Sequence, residues 1–164
     1  MNIILQTERL YLRQFTEADA PLIRKLNAAS GVLQYIPEPV PKSDDEARRV
    51  IIEIILPQYQ NNLGRWAVHL KSNDEFIGWC GLKWLKENDA IDLGYRFMPS
   101  AWGNGYATES AKAVLQYGFS RLQLKKIIAH AHIDNIGSQK VLEKIMQYAG
   151  EGIEDGIKLK GYFA

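Results

Sequence analysis

The sequence lacks the features that identify several large classes of protein. It contains one cysteine, Cys80, which excludes an intrachain disulfide framework and a cysteine-rich zinc site. Its 20 lysines and arginines face 19 aspartates and glutamates, so it has no basic excess of the kind that nucleic-acid and membrane-surface binders carry. No apolar run approaches the roughly 18–20 residues that a membrane-spanning helix needs. Met1–Gln6 also lacks the basic start of a signal peptide, so we expect a cytoplasmic protein with no nucleic-acid or membrane partner.

What the chain does contain is typical of one globular domain. Its 164 residues are 46% hydrophobic and 24% charged, close to the average for globular proteins. Single domains commonly hold about 100–200 residues. A domain of this size buries roughly 70% of its unfolded surface, so its core needs no covalent or metal crosslink. We predict a single domain over residues 1–164.

Hydrophobic periodicity predicts strands and helices in the order β-α-α-β-β-β-α-β-α-β. The predicted strands are 3–15, 65–70, 76–84, 90–98 and 126–133, and the last twenty residues are predicted as strand and turns. The predicted helices run from Thr16 to about Gly31, from Ser43 to Pro57, over 106–121 and over 135–144. Most strands follow one another at hairpin spacing, but helix 106–121 is a long crossover. We therefore expect an α/β domain with a mostly antiparallel sheet and one parallel pair.

The segment with the clearest chemical content follows the strand that ends near Pro99. Gly103 and Gly105 permit a tight turn, and a helix begins directly after it. The first N–H groups of a helix have no partner, and together with the helix dipole they favour an anion. No lysine or arginine lies between Pro99 and Lys112, so a phosphate here would be held mainly by backbone. The alternative is that the glycines only shape a strand-to-helix turn.

Two common phosphate-binding motifs are absent from this turn. It has no G-x-x-x-x-G-K-[ST] pattern and therefore no Walker A loop. A dinucleotide-binding G-x-G-x-x-G/A pattern needs Gly or Ala where Thr108 stands, and its acidic ribose partner would fall at Gln123. A nucleotide-dependent oxidoreductase is excluded on these grounds.

A longer pattern contains this turn and extends over most of the chain. Asn135 follows Gly105 by 30 residues, which leaves room for a helix, a strand and the start of another helix. The parts of the pattern are Thr7–Arg13, Gly94–Tyr95, Pro99, Trp102–Glu109, Asp134–Ser138 and Val141–Lys144. Together they resemble the acetyl-CoA motifs of the GNAT N-acetyltransferases, most closely the branch that includes the ribosomal-protein N-terminal acetyltransferases.

The resemblance implies a GNAT-like fold in which the parallel strand pair forms the acetyl-CoA cleft. It implies acetyl-CoA as co-substrate, no metal, direct transfer to a primary amine and a possible homodimer. It also implies that the pyrophosphate lies on the turn, with the pantetheine arm between the preceding strand and Asn135. The expected cofactor-binding residues are Phe97, Met98, Trp102, Gly103, Asn104, Gly105, Tyr106, Ala107, Thr108, Asn135 and Ser138.

Three residues are candidates for the chemistry itself. Asp92 lies on the strand that leads to the turn, where related enzymes place an acidic residue that reaches the acceptor amine; its alternative is a solvated strand position. Glu38, between prolines, is the second candidate base. Ser138 lies three residues after Asn135 and is the candidate proton donor to the CoA thiolate. Its alternative is an ordinary helix-start serine.

The sequence departs from the family pattern at three places. Ser100 stands where the family often has Gln or Arg, and Leu142 stands where many relatives carry a tyrosine acid. The usual Lys-x-Gly-Phe ending is Lys144–Gln147 here. The missing tyrosine keeps open the alternative of a non-catalytic acyl-CoA-binding or sensing module of the same fold.

Among amine acceptors, the chemistry favours a peptide N-terminus. Deprotonating a lysine at pH 7 costs about 4.6 kcal/mol, whereas an α-amino group costs only about 1 kcal/mol. A polyamine or another small amine is the alternative acceptor. Two further candidates are assigned to the fold: Cys80 as a buried structural thiol, and His130 and His132 as strand histidines rather than metal ligands.

Overall fold

The computed structural model describes residues 1–164 as eight strands and four α-helices. The strands are β1 (Ile3–Gln6), β2 (Leu10–Gln14), β3 (Gly64–Leu70), β4 (Phe76–Leu85), β5 (Ala90–Phe97), β6 (Ile128–His132), β7 (Gln147–Glu154) and β8 (Ile157–Phe163). The helices are α1 (Ala20–Ala28), α2 (Asp44–Val50), α3 (Tyr106–Ser120) and α4 (Ile136–Ile145). The predicted first strand is a hairpin of two strands, and the last twenty residues form β7 and β8.

The helix starts follow the capping signals in the sequence. Ser43 Oγ accepts a hydrogen bond from Glu46 N–H at 3.1 Å, as the predicted capping pair requires. Before α1, the Asp19 carboxylate accepts from Thr16 N–H at 2.8 Å. After α2 the chain does not stay α-helical to Pro57, because Ile51–Ile55 forms π-helical turns and Leu56–Asn61 a 3-10 helix.

All eight strands form one sheet in the order β1-β2-β3-β4-β5-β6-β8-β7. Every neighbouring pair is antiparallel except β5 and β6, which confirms the predicted mixed sheet with one parallel pair. Those two strands pair only where Asp92 lies opposite Ile128. Beyond that point they diverge, so the end of β5 has no strand partner on the β6 side. Backbone groups left in this way require another partner, which can be a ligand.

Each face of the sheet carries its own core. Leu82 and Leu93 pack with Val114 of α3, whereas Trp79 and Phe15 pack with residues of α1 and the segment after α2. Successive side chains on a strand point to opposite faces, so α3 and α4 cover one face and α1 and α2 the other. We call the face covered by α1 and α2 the α1/α2 face.

Cys80 lies in the core under α3, fully buried, and burial raises its thiol pKa to about 12. A thiol with so high a pKa is neutral at physiological pH and therefore a poor nucleophile. The interpretation of Cys80 as a structural thiol is confirmed.

Candidate functional site

The divergence of β5 and β6 opens a cleft with a volume of about 600 Å³. The starts of α3 and α4 form two of its walls. A third wall comes from residues 31–36, part of the connection between α1 and α2 that we call the cover loop (residues 31–41). The cover loop is fastened to the far side by Tyr35, whose ring lies 5.0 Å from that of His132 on β6. The cleft therefore runs between β5 and β6, and the cover loop forms its third wall.

The turn before α3 has the geometry that its glycines predict. Gly103 and Gly105 have φ of +76° and +80°, a conformation that side-chain-bearing residues rarely adopt. Asn104 holds the turn together, since its Nδ2 donates to Ala101 O and Trp102 O at 3.1 Å each. Expected binding residues on the turn and in the first turn of α3 line the cleft: Trp102, Gly103, Gly105, Tyr106, Ala107 and Thr108. The free N–H groups at the start of α3 thus lie beside an open space.

Sequence reasoning missed a cation at this turn. Arg9, just before β2, donates from Nη1 to Asn104 O at 3.0 Å and pairs with Glu109 at 3.2 Å. Its guanidinium lies 4.5 Å from the centre of the Tyr106 ring. Lys140 and Lys144 of α4 also line the cleft. No local signal could show this, because the three cations lie far from the glycines along the chain.

At the end of β5, Phe97 lines the cleft and the next residue, Met98, does not. The Phe97 carbonyl accepts from Trp102 Nε1 at 3.0 Å. The Met98 N–H donates to Ile77 O at 2.8 Å, and the Met98 carbonyl accepts from Ala101 N–H at 2.9 Å. Both Met98 backbone groups make hydrogen bonds within the fold, so the expectation that they bind the cofactor stays a prediction, with only the second lone pair of the carbonyl left for it.

Asn135 and Ser138 face the cleft at the start of α4. Asn135 is the N-cap, with its Oδ1 accepting from Ser138 N–H at 3.1 Å. Because Asn135 supplies the cap, the Ser138 hydroxyl does not serve as one. It lies 2.8 Å from the hydroxyl of Tyr95 on β5. Burial raises the Tyr95 pKa, so its phenol stays protonated at neutral pH.

The structure also shows where Leu142 lies, the α4 position at which many relatives carry a tyrosine. Leu142 is 1% exposed and packs in the core under α3, so its position does not face the cleft. A tyrosine hydroxyl reaches the cleft from β5 instead, through Tyr95. Sequence reasoning missed Tyr95 as a cleft residue. The motif contains Tyr95 directly after Gly94, on the same strand as the candidate base Asp92.

The candidate base Asp92 lies on the α1/α2 face, opposite to Leu93 as its alternation predicts. Its Oδ1 is 3.4 Å from Nδ1 of His130 on β6, and the two side chains are 24% and 32% exposed. The Asp92 carboxylate, which accepts a hydrogen bond from the His130 ring, raises the pKa of His130 above its ordinary value. The two residues thus bridge the point where β5 and β6 diverge.

The second candidate, Glu38, is held by an ion pair. Its Oε2 lies 3.2 Å from Nη2 of Arg96, which is buried on β5. Arg96 Nη1 also donates to Asn27 Oδ1 of α1 at 2.7 Å. Glu38 therefore fastens the cover loop to the sheet, and its carboxylate already has a cationic partner.

Two further features bear on the kind of site. No three histidine, cysteine, aspartate or glutamate side chains lie together in a way that could hold a metal ion. No helix is both long enough and apolar enough to cross a bilayer.

The chain is similar to known acetyltransferases in sequence and in structure. Residues 9–145 match the acetyltransferase (GNAT) domain family. The uncharacterized N-acetyltransferase YoaA of Bacillus subtilis is 34% identical over 92% of this chain and 85% of its own.

Two solved structures show the same fold. A GNAT-family acetyltransferase from Bacillus anthracis has a TM-score of 0.83 at 27% identity, covering 99% of this chain and 97% of its own. A RimL ribosomal-protein acetyltransferase in complex with coenzyme A has a TM-score of 0.84 at 20% identity, covering 99% of this chain and 97% of its own. With the family match spanning most of its length, the chain belongs to the GNAT acetyltransferases and is an acetyltransferase enzyme.

Proposed function

We propose that this protein transfers an acetyl group directly from acetyl-CoA to a primary amine, and that the amine is a peptide N-terminus. The observation that carries the proposal is that the N–H-rich start of α3 and the Tyr95–Ser138 hydroxyl pair line one cleft. The Asp92–His130 pair lies at the strand junction where β5 and β6 begin to diverge. In the reaction the neutral amine nitrogen attacks the thioester carbonyl carbon. The C–N bond forms, the C–S bond breaks and CoA leaves as a thiolate.

The turn before α3 is suited to the pyrophosphate of acetyl-CoA. Anions gain about 0.3–1 kcal/mol from a helix dipole, and up to about 2 kcal/mol where the site is partly buried. Arg9 adds a positive charge beside Asn104. The pantetheine arm would then lie along the unpaired edge of β5 as an added strand does, with Phe97 and Asn135 on either side.

Protonation assists the departing thiolate, and in this proposal the Tyr95–Ser138 pair supplies the proton. With its pKa raised by burial, Tyr95 keeps its phenolic proton at neutral pH. Ser138 Oγ lies within hydrogen-bond distance of that phenol, so when Ser138 protonates the thiolate it takes the phenolic proton of Tyr95, and Tyr95 regains a proton from solvent once CoA has left. In this arrangement the pair has the role that the resemblance assigns to a tyrosine on α4.

The amine loses a proton during the reaction, and in this proposal His130, at the strand junction, receives it. Asp92 accepts from one ring nitrogen of His130, which leaves the other nitrogen as the basic one. The raised pKa brings His130 closer to the value of about 7.7–8.0 for an α-amino group. An imidazole base suits an N-terminal amine, whose deprotonation costs about 1 kcal/mol at pH 7, better than a lysine, at about 4.6 kcal/mol.

The test is a titration with acetyl-CoA followed by measurement of free-thiol release with a panel of amines. The panel contains peptides with free N-termini, the same peptides with blocked N-termini but a lysine side chain, and polyamines. We expect fastest release with free N-termini. Faster release with polyamines would make this a small-amine acetyltransferase. Acetyl-CoA binding without release across the panel would indicate a non-catalytic acyl-CoA sensor.

A further inference from the structure

Two arginines surround one tryptophan on the α1/α2 face. The Arg65 guanidinium lies 4.8 Å from the centre of a Trp79 ring, and that of Arg96 lies 5.3 Å away. The register explains their meeting, since Trp79 of β4 pairs with Arg96 of β5, and Arg65 of β3 pairs with Gly81 of β4. The three side chains therefore share a face of the sheet.

The two guanidinium groups have very different surroundings. Arg96 is 7% exposed and is bonded to Asn27 and Glu38. Arg65 is half-buried, yet its side chain makes no hydrogen bond and no ion pair. Burial lowers the pKa of Arg65, while the charges of Glu38 and Asp92 act in the opposite direction. A guanidinium has five N–H donors, and those of Arg65 are free to bind an anionic ligand.

The position of Arg65 connects it with the cleft. Gly81 pairs with Arg65 on one side and with Gly94 on the other. No side chain rises from the sheet at these two glycines, and the Trp79 ring covers Gly94, 3.4 Å from where its Cβ would be. Two strand spacings, about 10 Å, separate β3 from β5. Gly94 directly precedes Tyr95, which lines the cleft, so Arg65 lies two strands away from a cleft residue on the same sheet.

The charges on the α1/α2 face are ordered across the strands. Asp92 lies on β5, and Glu38 pairs with Arg96 of β5, so both carboxylates are at the β5 side of this face. The unpaired cations lie farther out, Lys83 on β4 and Arg65 on β3. An acceptor with an amine at one end and an anion a few bonds away matches this order.

We propose that Arg65, with Trp79 as its floor, binds a carboxylate of the acceptor. The acceptor is then a primary amine that carries a carboxylate within a few bonds, either in an acidic side chain next to a peptide N-terminus or in the α-carboxylate of a free amino acid. This rests on the proposed function and narrows it to a substrate class.

The experiment compares acceptors that differ only in charge. One pair is a C-terminally amidated peptide starting Ser-Glu and its Ser-Gln counterpart; the other is a free amino acid and its amide. Each is tested with the wild type, Arg65→Gln and, as a matched control, Arg121→Gln, which removes an exposed arginine at the end of α3. We expect at least tenfold higher kcat/KM for the carboxylate in one pair, a ratio near one in Arg65→Gln, and an unchanged ratio in the control.

The activity toward the neutral member and the acetyl-CoA affinity should survive Arg65→Gln, because Arg65 is not part of the cofactor cleft. Whichever pair shows the preference identifies the source of the carboxylate. Equal kcat/KM within both pairs for the wild type overturns the proposal, and so does a preference that Arg65→Gln retains.

A second measurement separates this proposal from the proposed function. Calorimetry measures binding of the N-acetylated Ser-Glu and Ser-Gln peptides, and of the N-acetylated amino acid and its amide, to the wild type with CoA present. Tighter binding of a carboxylate that requires Arg65, without turnover of any amine, supports the carboxylate site and contradicts the transfer function. Equal binding within both pairs overturns the carboxylate site even in an active enzyme.

Discussion

The two sides of the strand junction differ in the chemical groups that they present. On the α3 side, consecutive residues from Gly103 to Thr108 present backbone groups, and their direction depends on two positive φ angles. On the α1/α2 face, the candidate groups are side chains from β3, β5, β6 and the cover loop. A backbone site tolerates many side chains but is sensitive to an added Cβ. A side-chain site depends on each group and its partner, so the two sides should respond differently to mutation.

The largest effect is expected on the α1/α2 face, from His130→Asn. Loss of a general base typically costs about 10²–10⁴-fold in rate. We expect kcat/KM to fall at least 100-fold while acetyl-CoA affinity stays the same, measured by thiol release and by calorimetry. A fall in acetyl-CoA affinity with unchanged kcat would move His130 to the cofactor side.

Replacing Asp92, the partner of His130, should change the pH dependence of kcat/KM. Only neutral His130 accepts a proton, so kcat/KM should rise with pH through the His130 pKa, which lies above its ordinary value. Asp92→Asn removes the carboxylate that raises this pKa most, so burial then lowers it against only the weaker effect of Glu154. The inflection should move to lower pH, with a smaller maximum because the ring is less well oriented. Equal activity of Asp92→Asn and wild type from pH 6 to 9 would remove Asp92 from the mechanism.

The next effect concerns the hydroxyl pair between the two sides. Thiols have a pKa near 8.5 and leave tolerably without a proton, so Ser138→Ala and Tyr95→Phe should each lower kcat by only about 10–100-fold. Acetyl-CoA affinity should stay within a factor of about two. Because the hydroxyls are 2.8 Å apart, the double variant should lose little more than the worse single variant. Losses that multiply would show that the two groups act independently.

A smaller effect is expected from a single methyl group on the backbone side. Gly103 and Gly156 have φ of +76° and +77°, and a Cβ at either meets nothing within 4 Å. Alanine at either position should therefore cost similar stability, on the order of 1 kcal/mol. Only Gly103→Ala should weaken acetyl-CoA binding, by about tenfold or 1.4 kcal/mol. Equal acetyl-CoA affinity in the two variants would show that the glycines only shape the turn.

The smallest effect is expected from the exposed cation at the turn. Arg9 and Arg24 are 46% and 47% exposed, and each pairs with one carboxylate. Arg9→Met should weaken acetyl-CoA binding about threefold and reduce the salt dependence of that binding, because an exposed charge is screened. Arg24→Met serves as the control and should change neither quantity. Identical salt dependence in wild type and Arg9→Met would assign Arg9 to the fold alone.

The sequence predicted the fold where its signals are local. Ser43 and Glu46 cap α2 as expected, the hairpins fall where the turn residues lie, and the crossover helix predicted the parallel pair. It missed the split of the first strand and the last hairpin. Thr7 Oγ accepts from Leu10 N–H at 3.1 Å and closes a turn that alternation alone does not show.

By itself, the sequence determined the α3 side of the cleft. Glycines at 103 and 105 restrict the backbone at their own positions, and a helix start directs its N–H groups wherever it occurs. Only the tertiary structure decided the rest. It brought Arg9 to the turn, hydrogen-bonded both Met98 backbone groups within the fold, joined Tyr95 to Ser138, and left Arg65 without a partner. Such contacts join residues that are far apart in the chain, and their distances depend on strand register and on the divergence of β5 from β6, which no local pattern of residues encodes.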